Sequence, residues 1–194
     1  MNIYDFDNTI YKGDSCKDLV LYGLKKHPFL TIKSLIKARK LNSEYKKGLI
    51  EYEIVKENLL SFVFKIDNYD NFIEDFVNDH MENIKPWYKK YQTDDDILVT
   101  ASFDLWINKF ASRLNIKHVI ATNVDKNGHI IGKNCKSEEK VKRIKELFPK
   151  AKFITSYSDS SADIPILELS KDAYVVEGNT LIPYKKGYDF KNHR

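Results

Sequence analysis

Apolar and polar positions fall into two regimes along the chain. Asn2-Ile3-Tyr4 is a short strand-like run. From residue 13 to residue 92 the spacing then becomes helical. A turn at Lys12-Gly13-Asp14-Ser15 leads into a helix over about 16–27, with Asp14 or Ser15 as its N-cap. Pro28 breaks that segment and suits the first turn of another. Over 29–41, Phe29, Ile32, Leu35 and Ile36 recur at helical spacing, and Lys33, Lys37, Arg39 and Lys40 fill the other face. Gly48 marks a break. Further helices are predicted over about 50–64 and 69–84, with a short one over 87–91 after Pro86.

The second regime begins after Asp94-Asp95-Asp96. Ile97-Leu98-Val99 reads as a buried strand ending at Thr100-Ala101-Ser102, followed by a helix over 103–114. Further strands are predicted over 117–121, 152–155 and 173–176, the last clear one. A turn at 125–128 precedes His129-Ile130-Ile131, which reads as a hairpin return strand. Ser137-Glu138-Glu139-Lys140 opens a helix that Pro149 stops, and 165–169 is a short helix. Alternating strand and helix implies a parallel sheet covered on both faces. The expected fold is α/β: a Rossmann-like parallel-sheet core over 1–12 and 93–194, with an all-α cap over 13–92 inserted after the first strand.

Composition bounds the function more than the fold. A chain of 194 residues suits one domain with a sizeable insertion, and 42% hydrophobic residues argue against disorder. The formal charge of +4 suits a small anionic substrate and is too weak for a nucleic-acid partner. Cys16 and Cys135 form neither a CxxC pair nor a zinc spacing, so a reduced, cytoplasmic compartment is the default. Asp5 and Asp7 interrupt any signal-peptide core, and no stretch reaches the roughly 20 apolar residues of a membrane span. The lysine-rich stretch 24–47 could meet an anionic membrane surface or a lipid headgroup. The favoured reading is an ordinary solvated face on a cap helix. His27, His80, His118, His129 and His193 form no metal-like group. Phe62, Phe64, Phe72, Phe76, Trp87 and Tyr88 read mainly as the cap's own core, and 184–194 as a loose terminus.

The candidate chemistry starts at Asp5 and Asp7, two carboxylates directly after the first strand. Like charges so close repel, and a cation or a shared proton would relieve them. One could attack an electrophile while the other handles the leaving group's proton. A polar strand end or an Asx turn is the alternative. Thr100 and the pair Asp159 and Asp163 mark two further strand ends, and Lys140 lies near a helix start. In an open α/β sheet, sites form outside the carboxyl ends of the strands. Carboxylates, a hydroxyl and a lysine gathered there suit phosphoryl transfer.

Four stretches, in order, resemble the motifs of the haloacid dehalogenase superfamily of phosphohydrolases. They are DFDNT from Asp5, VTAS from Val99, Lys140 within NCKSEEKVKRI, and SDSSAD from Ser158 followed by Ile164-Pro165-Ile166-Leu167. The resemblance spans essentially the whole chain. The helical insertion resembles the class with an N-terminal helical cap (C1), in its phosphoserine-phosphatase-like branch, subfamily IB. The resemblance implies that Asp5 is the nucleophile and forms an aspartyl phosphate, and that Asp7 is the acid and then the base. Thr100 would hydrogen-bond a phosphoryl oxygen, with a helix-cap role as its alternative. Ser102 could do either and is carried as substrate-binding. Lys140 would neutralise the phosphoryl charge, with Lys136 as its rival.

Mg²⁺ would be held by the Asp5 carboxylate, the Asp7 carbonyl and Asp159, with Asp163 a further ligand or a partner behind the ligands. Asp14 resembles the acidic residue that grips the amino acid in phosphoserine phosphatases. By ungapped matching from Gly48, the matching arginine position falls near Asn58-Leu59, and Arg39 is the only arginine of the cap. Ser158 stands where many relatives have glycine, which requires that position to avoid positive φ. The expected function is a Mg²⁺-dependent phosphatase for a small phosphorylated metabolite, with a cap that opens and closes. A phosphotransferase or mutase, a lipid-headgroup phosphatase and a non-catalytic phospho-ligand binder are the alternatives.

Overall fold

The structure, a computed structural model, describes residues 1–190. His193 and the last four residues of the 184–194 tail lie outside the described residues. Six strands form one sheet in the order β3-β2-β1-β4-β5-β6. They are β1 (Asn2–Tyr4), β2 (Ile97–Phe103), β3 (His118–Thr122), β4 (Thr155–Ser158), β5 (Asp172–Glu177) and β6 (Thr180–Pro183). The first five in sequence run parallel, and β6 returns antiparallel against β5. β1 is central, paired with β2 on one side and β4 on the other. Its C-terminal end therefore opens at the middle of the sheet, where the chain reverses direction across the strand order.

The alternation of strand residues explains the two-sided cover. Ile3, Ile97 and Val99 face one side, in a cluster with Ile120, Ile144 and Ile166. Tyr4 and Leu98 face the other side, in a larger cluster that runs on through Phe6, Trp106, Phe110, Phe76 and Phe62. Tyr4 is sandwiched in this second layer. Its ring stacks on Tyr157 at 4.7 Å and meets Tyr88 edge-on at 4.9 Å.

Helices α1 (Ser15–Lys26), α2 (Pro28–Lys46), α3 (Tyr52–Leu60), α4 (Tyr69–His80) and α5 (Pro86–Tyr91) fill the segment between β1 and β2. Short 3-10 turns at Val63–Lys65 and Met81–Asn83 stand where the expected helices over 50–64 and 69–84 would have run on. α4 and α5 pack on the body of the sheet domain. Glu74 on α4 pairs with Lys109 at 2.7 Å and with Arg113, both on α6 (Asp104–Arg113), and Trp87 on α5 lies 5.4 Å from Tyr157. One apolar cluster thus joins the helical insertion to the sheet, taking in Leu19, Val20 and Tyr22 of α1 and Leu60 of α3, with Leu30 and Leu35 of α2 packed against it.

Two expectations about strands need correction. The strand expected over 152–155 is β4 at Thr155–Ser158, three residues later. The run Phe153-Ile154 suggested a strand by its apolarity, yet Ile154 is exposed. The polar run is buried instead because its hydroxyls find partners: Ser156 Oγ donates to Leu167 O and Ser158 Oγ to Asp163. The hairpin return at 129–131 is a single bridge, Val124 to Ile130. β6 was not expected, and it makes the tail less loose than its polarity implied: Tyr184 N donates to Ala173 O, and Tyr188 OH donates to Glu177.

Gly23 sets how closely α1 can approach its neighbours. A Cβ there would lie 2.3 Å from the Phe62 ring and 2.8 Å from Thr31 Oγ1. We expect Gly23→Ala to destabilise the fold by about 1–3 kcal/mol through overpacking, despite the gain in helix propensity. Urea unfolding would read this as a lower midpoint; an unchanged midpoint would show that α1 shifts at no cost.

Candidate active site

The loop after β1 places the first two carboxylates. Phe6 is fully buried, and its carbonyl accepts from the backbone N–H groups of Thr9, Ile10 and Tyr11. This tight turn needs Asn8 in the left-handed region, at φ 54°, which asparagine tolerates better than most residues. Lys85 holds the same turn from outside. Its buried ammonium donates to the carbonyls of Asn8 and Gly178, and burial pushes its pKa down to about 8 against the pull of Asp159.

Asp5 is 6% exposed. Its Oδ1 accepts from Lys140 Nζ at 2.7 Å, and its Oδ2 accepts from Thr9 Oγ1 at 3.1 Å. Lys140 Nζ also donates to Asp163 Oδ2 at 2.8 Å, which takes a second hydrogen bond from Ser158 Oγ at 2.8 Å. Thr9 Oγ1 in turn accepts from the backbone N–H of Asp159 at 3.1 Å. Residues from three distant stretches thus meet around Asp5. Lys140 sits in the first turn of α7 (Glu138–Leu147), where a cation opposes the helix dipole. Burial alone would lower its pKa further. Asp5 and Asp163 overcome both effects and hold it well above the usual lysine range.

Asp7 is oriented from behind. Its Oδ1 accepts from Ser15 N and its Oδ2 from Ser102 Oγ, each at 2.6 Å. Trp106 Nε1 donates to Ser15 Oγ, which lies 3.4 Å from Ser102 Oγ. Burial raises the Asp7 pKa, and the Ser102 and Ser15 hydrogen bonds partly restrain the rise.

Thr100 and Ser102 are aimed by an irregularity in β2. Val99 pairs with Ile120 and Phe103 with Thr122, so four steps on β2 match two on β3 and the residues between bulge out. Thr122 Oγ1 donates to Ala101 O at 2.7 Å and so holds the bulge. Lys56 Nζ, from α3, donates to the same carbonyl at 2.5 Å and to Asn134 Oδ1 at 3.0 Å. Thr100 Oγ1 accepts from Ser102 N, which leaves its own hydroxyl proton to donate. The N-cap of α6 is Phe103, so Thr100 does not cap that helix.

A cavity of about 200 Å³ opens among these groups, lined by Asp5, Asp7, Thr100, Lys136, Lys140, Asp159 and Asp163 with Asn8, Ala101, Ser160 and Ala162. Lys140 touches Asp5, whereas Lys136 is an exposed residue at the rim. Two expected substrate contacts fall elsewhere. Asp14 is exposed and caps α1, accepting from Lys17 N at 3.0 Å. Ser102 is buried behind Asp7 and does not line the cavity. Ser158 avoids positive φ, so the departure from glycine carries no backbone strain.

The donor set fits a divalent cation. Four carboxylates line the cavity, and Lys140 is the buried cation among them. Burial raises the Asp5 pKa to about 8; Lys140 counters this, and Asp163 and Asp159 add to it. Among the described residues no cluster of three or more His, Cys, Asp or Glu side chains forms a ready-made cage. Mg²⁺ does not need one: one or two carboxylates, with waters and substrate phosphate, suffice. Asp5 and Asp159 can supply those carboxylates.

The sequence profile of the haloacid dehalogenase-like hydrolases matches residues 3–168, a span that takes in all four motif stretches. The chain belongs to this family. A stretch of 83 residues is 34% identical to protein CicA of Caulobacter vibrioides, covering 39% of this chain and 37% of CicA. The match thus spans little more than a third of that relative's length. Among solved structures, a protein of unknown function from Bordetella pertussis Tohama I aligns with a TM-score of 0.72 at 20% identity, over 90% of this chain and 88% of that one. A phosphoserine phosphohydrolase-like protein from Francisella tularensis gives 0.57 at 18% identity, over 90% and 87% of the two chains. A phospho-aspartyl intermediate analogue of phosphoserine phosphatase gives 0.54 at 15%, over 89% and 84%. At these identities the likeness shows a shared fold, and the Rossmann-like parallel sheet is that fold. The chain is accordingly a member of the haloacid dehalogenase-like hydrolase family, as the motifs implied.

Proposed function

We propose that the protein hydrolyses a small phosphomonoester through an aspartyl phosphate on Asp5, with Mg²⁺ bound and with the helical insertion serving as a cap. The observation that carries this reading is the buried Asp5–Lys140–Asp163 cluster at the mouth of the central strand, facing a cavity of phosphate size. An Asp5 carboxylate oxygen attacks phosphorus as the ester P–O bond breaks. Asp7 gives its proton to the leaving oxygen, then takes one from the water that displaces Asp5 and frees phosphate. The raised Asp7 pKa favours a proton on it in the first step. The Ser102 hydroxyl then turns from Asp7 toward Ser15 Oγ. Thr100 and Lys140 hold the phosphoryl oxygens. Asp5, Asp159 and the Asp7 carbonyl are the groups that would bind Mg²⁺, with Asp163 positioning Lys140 from behind. When bound, the ion supplies positive charge against the phosphoryl oxygens.

The 13–92 insertion acts as a cap in this reading, with α3 as its moving face. Besides Lys56, α3 sends Glu57 to Ile130 N at 2.7 Å and Glu53 to Asn134 N at 3.3 Å. Admitting substrate requires these bonds to part, and closing them excludes water. The cap's single arginine, Arg39, is exposed on α2, and Asp14 caps a helix. Both favour a small phosphomonoester other than phosphoserine.

The decisive assay is turnover of an aryl phosphate with and without Mg²⁺, then of phosphorylated metabolites including phosphoserine and sugar phosphates. Released inorganic phosphate supports a phosphatase. Transfer to an added alcohol in preference to water would make it a phosphotransferase, and no turnover of any ester would sink the reading. Mg²⁺ affinity gives a separate test. Below its pKa near 8, Asp5 must lose a proton to bind the ion. Affinity should therefore rise about tenfold per pH unit and level off near that value. Calorimetric titration at several pH values reads this, and Asp5→Asn should weaken Mg²⁺ binding at every pH; affinity unchanged in that variant removes Asp5 from the ligand set.

A further inference from the structure

Helix α2 carries three of its large apolar residues on its outer face. A helix on a globular protein normally turns its large apolar residues inward. α2 instead buries Thr31, Ser34 and Ala38 and presents Phe29, Ile32 and Ile36 to solvent, Phe29 at 88% exposure. Of the apolar stripe Phe29, Ile32, Leu35 and Ile36, Leu35 packs against the core, whereas the other three share the exposed surface with the lysines. The inner face meets α1 and the end of α3 at very close range: Thr31 lies against Gly23, and Ser34 Oγ is 3.0 Å from Ser61 Oγ. Small side chains fill these contacts, Leu30 and Leu35 pack at their edge, and Phe29, Ile32 and Ile36 are left outside.

The same outer face is strongly basic. Residues 25–47 hold eight lysines and arginines against one acid, Glu44, a net of +7 where the whole chain carries +4. The rest of the chain is therefore net negative, and the positive charge is concentrated here. Lys33, Lys37 and Lys40, with Lys65 from the turn after α3, line a groove of about 350 Å³ together with Ser34 and Ser61. Among the described residues, none of these four lysines forms a salt bridge. Four ammonium groups around one hollow repel each other, and an anion in the groove would relieve them.

The geometry points to α2 as a docking face for an anionic phospholipid surface, with a headgroup phosphate among Lys33, Lys37, Lys40 and Lys65 and with Phe29, Ile32 and Ile36 entering the interfacial layer. Charge and apolarity interleaved on one exposed face match the chemistry of that layer. A second copy of the chain would bring two positive faces together. Protruding apolar side chains gain nothing on a nucleic-acid backbone. The helix lies on the surface: among the described residues no helix is long and apolar enough to cross a membrane.

Co-sedimentation with vesicles tests it. The intact protein should bind vesicles of phosphatidylcholine with phosphatidylglycerol far more tightly than pure phosphatidylcholine, with binding weakened by salt. The triple variant K33Q/K37Q/K40Q should lose about a hundredfold in partition, since each basic residue near an anionic surface contributes about fivefold. The variant F29S/I36S should lose binding that persists at high salt. Both variants alter exposed residues, so their unfolding midpoints should match wild type and certify the fold. Absence of binding to anionic vesicles, or binding unchanged in the triple variant, overturns the proposal. So does concentration-dependent self-association that F29S/I36S abolishes without any vesicle binding, which would make the face an interface between copies.

Discussion

Asp5→Asn is expected to lower turnover of any phosphomonoester by about 10⁴-fold or more, the loss typical when a nucleophile is removed. The amide cannot form the acyl phosphate, yet it matches the carboxylate in shape. Its oxygen can still accept from Lys140, and its NH₂ can donate to Thr9 Oγ1, which now both donates to Asp5 and accepts from Asp159 N–H. The fold should therefore survive. Stability should even change in a telling direction. The folded Asp5 pKa of about 8 lies above its ordinary value of 3.8, chiefly because burial penalises the charged form. In the metal-free protein the folded state then binds the extra proton between those pH values, so stability falls as pH rises through that window. The asparagine variant lacks this slope. Thermal unfolding from pH 5 to pH 8 without Mg²⁺ should show wild type losing more than the variant. Activity within a few-fold of wild type would remove Asp5 from its role.

Lys140→Met should be the second most damaging change. It keeps the aliphatic stem and deletes the buried charge that Asp5 and Asp163 share, at side-chain exposures of 9% and 4%. Two carboxylates are left facing each other with no cation between them. Breaking a buried pair in this way costs about 3–5 kcal/mol. The loss should shrink in mild acid, where either carboxylate takes up a proton. Activity should fall by at least about 10²-fold, since an oxyanion-stabilising group is gone as well. Lys136→Ala at the exposed rim should stay within a few-fold of wild type. If Lys136→Ala is the more damaging of the two, the assignment of Lys140 as the phosphate-holding lysine is wrong.

Much of the site was visible in local sequence because its residues sit at element ends, which short patterns mark well. Asp5 after β1, Thr100 in β2, Lys140 at the start of α7 and Asp159 after β4 all line one cavity. The contacts by which other residues support them were not visible. Thr9 lay inside a quoted motif without a role, yet it joins Asp5 to Asp159 through one hydroxyl. Ser102 and Ser15 hold Asp7 from positions 95 and 8 residues away. Lys56 and Lys85 are buried lysines whose partners are backbone carbonyls. A carbonyl leaves no residue-type signal, so no pattern could have flagged them. β4 was misplaced for a related reason: a run of hydroxyl residues reads as polar until the partners that satisfy it are known.

The parallel α/β core with its helical interruption and the chemical kind of each group at the strand ends were contained in the chain itself. Periodicity and turn residues act over a few positions, and a carboxylate is a carboxylate wherever it lies. Only the folded chain decided that Lys140 reaches Asp5 across 135 positions, that Asp14 caps a helix instead of lining the cavity, and that α2 turns its isoleucines outward. Those outcomes depend on how much room distant neighbours leave. At Gly23 the Phe62 ring and Thr31 leave no room even for a Cβ, and no local pattern records it.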